Sequence, residues 1–146
     1  MGNDAVTAEL AIRPYEDADS DAVRTLWNAC RLIVPHSDPA TDITFCRAAA
    51  DAELFVGSEG GRLVATVMTG HGGWLYYLAV DPALRYRGLG GQMVAHAETW
   101  LGARGVAKVN LMIRDGNTDV AEFYEAVGYT CEPRGVMSRV LADKQG

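Results

Sequence analysis

Trp74-Leu75-Tyr76-Tyr77-Leu78-Ala79-Val80-Asp81-Pro82-Ala83-Leu84-Arg85-Tyr86-Arg87-Gly88-Leu89-Gly90-Gly91 is the stretch that decides how this chain folds. Its first residues, Trp74 to Val80, form an apolar run of strand length, and its last glycines lead into an amphipathic helical pattern. A strand, a tight Gly/Arg turn and a helix start are the parts of a phosphate cradle. Glycines let main-chain N–H groups come close to an anion. The helix N-terminus adds partial positive charge, and Arg85 and Arg87 add full charges.

Two common phosphate loops are excluded. No Gly-Lys-Ser/Thr follows the glycines, so a Walker A loop is absent. A dinucleotide fingerprint read from Gly88 needs a third glycine where Met93 stands. What remains is Arg-x-x-Gly-x-Gly, spelled by Arg85, Gly88 and Gly90, with Gly91 beside them. Read alone, these residues also suit a glycine-rich turn carrying two solvated arginines. A second pattern lies beyond the helix. A strand-like run at 108–114 is followed by the turn Asp115-Gly116-Asn117. A further helix then holds Ala121, Phe123, Tyr124, Gly128 and Tyr129.

In order and spacing the two patterns resemble the pyrophosphate loop and the second signature of the GNAT superfamily, the acyl-CoA-dependent N-acetyltransferases. The resemblance implies acetyl-CoA as acyl donor and no metal. It implies that Leu78, Ala79 and Val80 line the acyl end, on a strand bulged so that a main-chain N–H faces the thioester oxygen. It places Arg85, Arg87, Gly88, Leu89, Gly90 and Gly91 around the diphosphate, Asn117 near the pantetheine arm and Tyr124 beside the sulfur. As a phenol with an ordinary pKa near 10, Tyr124 is the candidate general acid for a thiol with pKa near 8.5. Helical periodicity offers it a core position instead, in a stripe with Val120, Phe123 and Val127.

The remaining elements fit the same fold along nearly the whole chain. A short strand is predicted at 10–13. An amphipathic helix follows, with Val23, Leu26, Trp27 and Cys30 on one stripe and Asp19 or Ser20 as cap. A second short helix is predicted at 41–50, and a hairpin of strands at 54–58 and 63–69 turns at Glu59-Gly60-Gly61. The helix after Gly88 runs to about Arg104 with Gly105 behind it. Strands are also predicted at 129–132 and 136–141. The expectation is therefore an α/β (α+β) fold in a single domain over residues 1–146. It has a central mixed, mostly antiparallel sheet of six to seven strands and four flanking helices, in the order β-α-α-β-β-β-α-β-α-β-β.

Composition narrows the function. The chain has 146 residues, 49% of them apolar, which is enough for one core. A net charge of −6 argues against nucleic-acid binding, which rests on phosphate neutralisation, and mildly favours a cationic amine acceptor. Cys30, Cys46 and Cys131 are scattered, with no disulfide or metal-site spacing. No run reaches membrane-spanning length and Met1-Gly2-Asn3-Asp4 carries no basic segment, so a cytoplasmic protein is expected. Homodimers are frequent in the family.

The general base is the open position. In the N-terminal alanine acetyltransferases of ribosomal proteins, a similar branch, a glutamate lies two residues before the arginine that Arg114 matches, and Met112 stands there instead. Tyr76, Tyr77, Asp81, His71 and His36 are the other candidates. His96, on the helix flank, is expected to be exposed. An α-amine of pKa near 7.8 is roughly 10–15% neutral at pH 7, against about one part in 2,500 for lysine. A site without a strong base thus suits a peptide N-terminus or a small amine. Trp27 and the segment 31–42, with His36, Asp38 and Asp42, are where the resemblance puts the acceptor, although Asp38 and Asp42 also suit turn and cap roles. The alternative to an enzyme is a non-catalytic acyl-CoA-binding module of the same fold.

Overall fold

Gly60 and Gly61, with φ of +60° and +81°, reverse the chain between β2 (Ala52–Glu59) and β3 (Arg62–Gly70). A type I′ hairpin turn, which matches strand twist, needs positive φ at both positions, and a Gly-Gly pair supplies it without strain. The structure, a computed structural model, describes residues 9–35 and 38–141. The chain divides into two compact units, Met1–Leu111 and Met112–Gly146.

The first unit holds the sheet. β1 (Ala11–Pro14), β2, β3 and β4 (Trp74–Val80) lie side by side in chain order, every pair antiparallel. Helices cover both faces. On one face, Leu54, Val56, Met68 and Ala79 share a buried cluster with Val23, Leu26 and Trp27 of α1 (Ser20–Ala29) and Ile43 and Cys46 of α2 (Pro39–Ala48). On the other, Phe55 meets the rings of His96 and Trp100 on α3 (Leu89–Ala103) at centroid distances of 4.6 and 6.1 Å. The alternation of Leu54 and Val56 with Phe55 along β2 sends side chains to opposite faces. Because both faces are covered, the strands read as nearly continuous apolar runs. His96 is accordingly half-buried against Phe55, not exposed as the helix pattern predicts.

Cap chemistry differs from the expectation at two helices. The Asp19 carboxylate does not cap α1. It takes both guanidinium nitrogens of Arg13 at 2.8 Å and the Glu16 N–H at 2.8 Å, which holds its pKa below the usual carboxylate range. Asp38, not Asp42, caps α2, accepting from the Ala40 N–H at 3.2 Å and the Thr41 hydroxyl at 2.8 Å. Asp42 is thereby left inside the first turn of the helix.

The sheet has four strands among the described residues, not six to seven. Of the run at 108–114, only Asn110 pairs, in a parallel bridge with Trp74 whose bonds are Leu75 N–H to Asn110 O at 2.9 Å and Asn110 N–H to Gly73 O at 2.6 Å. No strand forms at 129–132 or 136–141. An apolar or alternating pattern marks which residues suit a strand, but a strand exists only where a neighbour takes its N–H and C=O groups. The second unit is built on α4 (Thr118–Ala126), the last of the four expected helices. Among the described residues no helix is long and apolar enough to cross a membrane.

Candidate functional site

The register of β4 against β3 slips at its centre. Thr66 pairs with Ala79 and Met68 with Tyr76, so β4 carries one residue more than β3 over the same span. The extra residue is a bulge at Tyr77-Leu78, with Tyr77 at φ +51°. A non-glycine residue in this region is strained and persists only where its surroundings hold it. Here the restraints are visible. The Tyr77 ring stacks on Trp27 at 3.8 Å and 13°. The fully buried Thr66 hydroxyl accepts from the Trp27 indole N–H at 2.9 Å and donates to the Tyr77 carbonyl at 2.8 Å. The Tyr77 hydroxyl donates to Asp42 at 2.5 Å. A bulge breaks the ladder locally and leaves one residue unpaired. The bulge implied by the family resemblance is thus present, in the expected strand.

Leu78 and Val80 are half-buried on that strand and Ala79 is buried. The Val80 carbonyl accepts the Cys30 thiol at 3.3 Å. After β4, the Asp81 carboxylate accepts from the Ala83 N–H at 2.9 Å and pairs with Arg62 at 3.0 Å, so this candidate base is engaged in shaping the loop. Gly88 then adopts φ +79° with no side chain capping the helix behind it. The first helical bond of α3 runs from Gln92 N–H to Gly88 O at 3.2 Å. Helix geometry therefore gives the N–H groups of Leu89, Gly90 and Gly91 no partner within α3, while the Leu89 side chain is buried. Gln92 ties this turn to the sheet by accepting the Leu10 N–H at 3.0 Å.

The two arginines differ. Arg85 is exposed on the loop. Arg87 forms a bidentate pair with Glu59, at 3.1 and 2.6 Å, which anchors the loop to the end of β2. Two planar hydrogen bonds of this kind hold geometry as well as charge. Sequence spacing gave no sign of this partner, 28 residues away.

Asp42, Phe45, Met68, His71, Tyr76 and Tyr77 line a cleft of about 340 Å³ beside the bulge. His71 has its Nδ1 3.9 Å from Asp51 and its ring in edge contact with Tyr76. Burial pushes the Tyr76 phenol up from its ordinary pKa. His36 lies outside the described residues. Thr66, Phe45 and Met68 are site residues that sequence reasoning missed. A threonine in the run Val64-Ala65-Thr66-Val67-Met68 was the available signal, since a buried hydroxyl needs a partner.

In the second unit, Asn117 caps α4, its side-chain oxygen accepting the Val120 N–H at 3.3 Å. Tyr124 is buried, with edge contacts to Phe123 at 4.9 Å and Tyr129 at 5.5 Å. Burial pushes its phenol up to about 12.

Comparison with known proteins bears on this geometry. The model of the acetyltransferase (GNAT) family matches residues 18–129. An acetyltransferase of Pectobacterium atrosepticum is 36% identical over 141 residues, covering 93% of this chain and 99% of that protein. The aminoglycoside N-acetyltransferase AAC(6')-Iy, solved with the bisubstrate analogue CoA-S-monomethyl-acetylneamine, is similar with a TM-score of 0.78 at 19% identity, over 91% of this chain and 99% of that one. An aminoglycoside acetyltransferase from a soil metagenome, solved with sisomicin, has a TM-score of 0.73 at 16% identity, over 91% and 96% of the two chains. At such identities the two structures speak for the fold alone.

Proposed function

We propose that this chain, which belongs to the GNAT acetyltransferase family, moves an acetyl group from acetyl-CoA to a small primary amine by direct attack in a ternary complex. Family membership makes it an acyltransferase; the donor, the acceptor and the residue roles are the proposal. One observation carries it: the bulged β4 leads within a few residues to a helix begun by an uncapped glycine.

The residues fit a coenzyme A diphosphate. The N–H groups of Leu89, Gly90 and Gly91 lie ahead of the first helical bond, Gly88 presents no side chain, and the helix dipole favours an anion there. Arg85 adds charge, and Arg87 positions the loop through Glu59. Leu78, Ala79 and Val80 offer the edge for the pantetheine arm. Acetyl-CoA held there would supply a thioester: a neutral amine would form the C–N bond as the C–S bond breaks, and the proton that the nitrogen loses would end on the departing thiolate. An N–H at the bulge donates to the carbonyl oxygen as charge builds on it, a contact worth roughly 3–4 kcal/mol in comparable sites.

The family resemblance gives Tyr124 to the sulfur, and its phenol suits a hydrogen-bond donor in preference to a full acid. A phenol raised to about 12 would give its proton to a thiolate of pKa near 8.5 only uphill. Asn117 spends its side-chain oxygen on α4 and has its amide group for the pantetheine arm. Asp81 is engaged by Arg62 and Met112 carries no carboxylate, so neither serves as base, and an amine that arrives neutral needs none. This favours amines of low pKa. A neighbour of the same fold solved with sisomicin fits a small molecule as acceptor, without fixing which amine.

Thiol release tests the reading. Purified protein with acetyl-CoA should liberate free CoA faster when a panel of small amines is added. Acetyl-CoA that raises the melting temperature without thiol release for any acceptor would favour the acyl-CoA-binding module instead.

A further inference from the structure

The cleft beside the bulge carries a specific chemistry. Among the described residues Asp42 is the one carboxylate that lines it, with His71 beside it, and neither Lys nor Arg does. The carboxylate is held by the Tyr77 hydroxyl at 2.5 Å, and Tyr77 is itself fixed by the Trp27 stack and the Thr66 hydroxyl. A carboxylate accepts from more than one donor, so this anchoring is compatible with an amine on the same group. Phe45 stands three residues after Asp42 on the same face of α2 and is 68% exposed. With Met68 and Tyr76 it surrounds the carboxylate by apolar and aromatic surface. Aromatic rings favour a nearby cation as well as an apolar body.

The size and the charge count are selective. At about 340 Å³ the cleft lies at the low end of ligand pockets. A polycationic amine needs several carboxylates, and the described lining offers a single one, Asp42, beside His71 and the rings of Phe45, Tyr76 and Tyr77. We propose that this cleft selects a primary amine carried on a compact aromatic or apolar body, with Asp42 receiving the amino group and Phe45, Met68 and Tyr76 receiving the body. The inference deepens the acceptor reading above and rests on it.

L-Phenylalaninamide and glycinamide isolate the effect, because both present an α-amine and only one carries a ring. The wild type should show a KM about 10-fold or more lower for phenylalaninamide, as burial of a phenyl ring provides. Phe45→Ala, at an exposed position, should erase most of that difference. Asp42→Asn should raise KM for phenylalaninamide about 10-fold or more while acetyl-CoA still raises the melting temperature. Equal KM values for the two amides in the wild type, or a lower KM for sisomicin than for phenylalaninamide, overturn the inference while leaving acetyl transfer intact. If no amine releases thiol, calorimetry with phenylalaninamide decides separately. Saturable binding lost in Asp42→Asn upholds the cleft and removes the transfer reaction, and no binding overturns both.

Discussion

The starts of α3 and α4 answer the same physical problem in opposite ways. Every helix begins with N–H groups that have no partner inside it. At α4 the Asn117 side chain turns back and accepts from the Val120 N–H, so the helix satisfies itself. At α3 the chain places Gly88 at φ +79°, and no side chain caps the helix. The second solution gives up a little local stability, roughly a few tenths of a kcal/mol for glycine in place of a capping side chain. A chain that breaks a local rule at one helix while obeying it at another marks where it binds something. The difference teaches that the α3 terminus keeps N–H groups open that an anion could take, as the proposed function requires, whereas the α4 terminus spends one of its own on a cap.

Substitutions test this contrast directly. The largest effect is expected from Gly90→Val, which sets a branched side chain beside the N–H groups of the first turn of α3. Coenzyme A at 100 times its Kd should stabilise the wild type by about 2.7 kcal/mol and Gly90→Val not at all, read by thermal melting. Next comes Gly88→Asn. Asparagine tolerates the left-handed region and carries a capping oxygen. It should leave the free protein about as stable and weaken coenzyme A roughly 10-fold, about 1.4 kcal/mol, by calorimetry. Affinity unchanged in Gly88→Asn would break the comparison. Asn117→Ala should cost about 1 kcal/mol in denaturant unfolding, the loss of a cap.

A further pair of effects separates the two units by pH. Burial raises the Cys46 thiol of the first unit to about 11 and the Tyr124 phenol of the second to about 12. Both groups stay neutral in the folded chain and ionise earlier when unfolded, near 8.5 and 10. Each therefore contributes stability that is complete below its unfolded pKa and declines as pH rises toward the folded value. Stability followed against pH should fall less steeply in Cys46→Ala between about pH 9 and 11, and in Tyr124→Phe between about pH 10 and 12. Slopes identical to the wild type would place these groups in water.

Much of this architecture was legible from residue order. The apolar run into Arg85-Tyr86-Arg87-Gly88, the Gly60-Gly61 hairpin and the stripe of α1 each carry local signals, and each element formed where it was read. What was hidden depends on long-range partners. Tyr77 sits in a run that reads as plain strand, and its φ of +51° comes from Thr66 and Trp27, distant in sequence. Arg87 reads as a phosphate ligand, and nothing near it in the sequence shows that Glu59 pairs with it. The patterns at 129–132 and 136–141 have the composition of strands, yet no neighbouring ladder is formed by them. Phe45 reads as an ordinary helix residue, and only the packing of α2 near β4 turns it toward a cleft.

Backbone amide NMR offers the most direct examination of the α3 terminus. Titration with coenzyme A should move the Leu89, Gly90 and Gly91 amide resonances together and saturably, whereas pantetheine, which lacks the diphosphate, should leave them in place. Saturation by coenzyme A with those three amides unmoved would contradict the account.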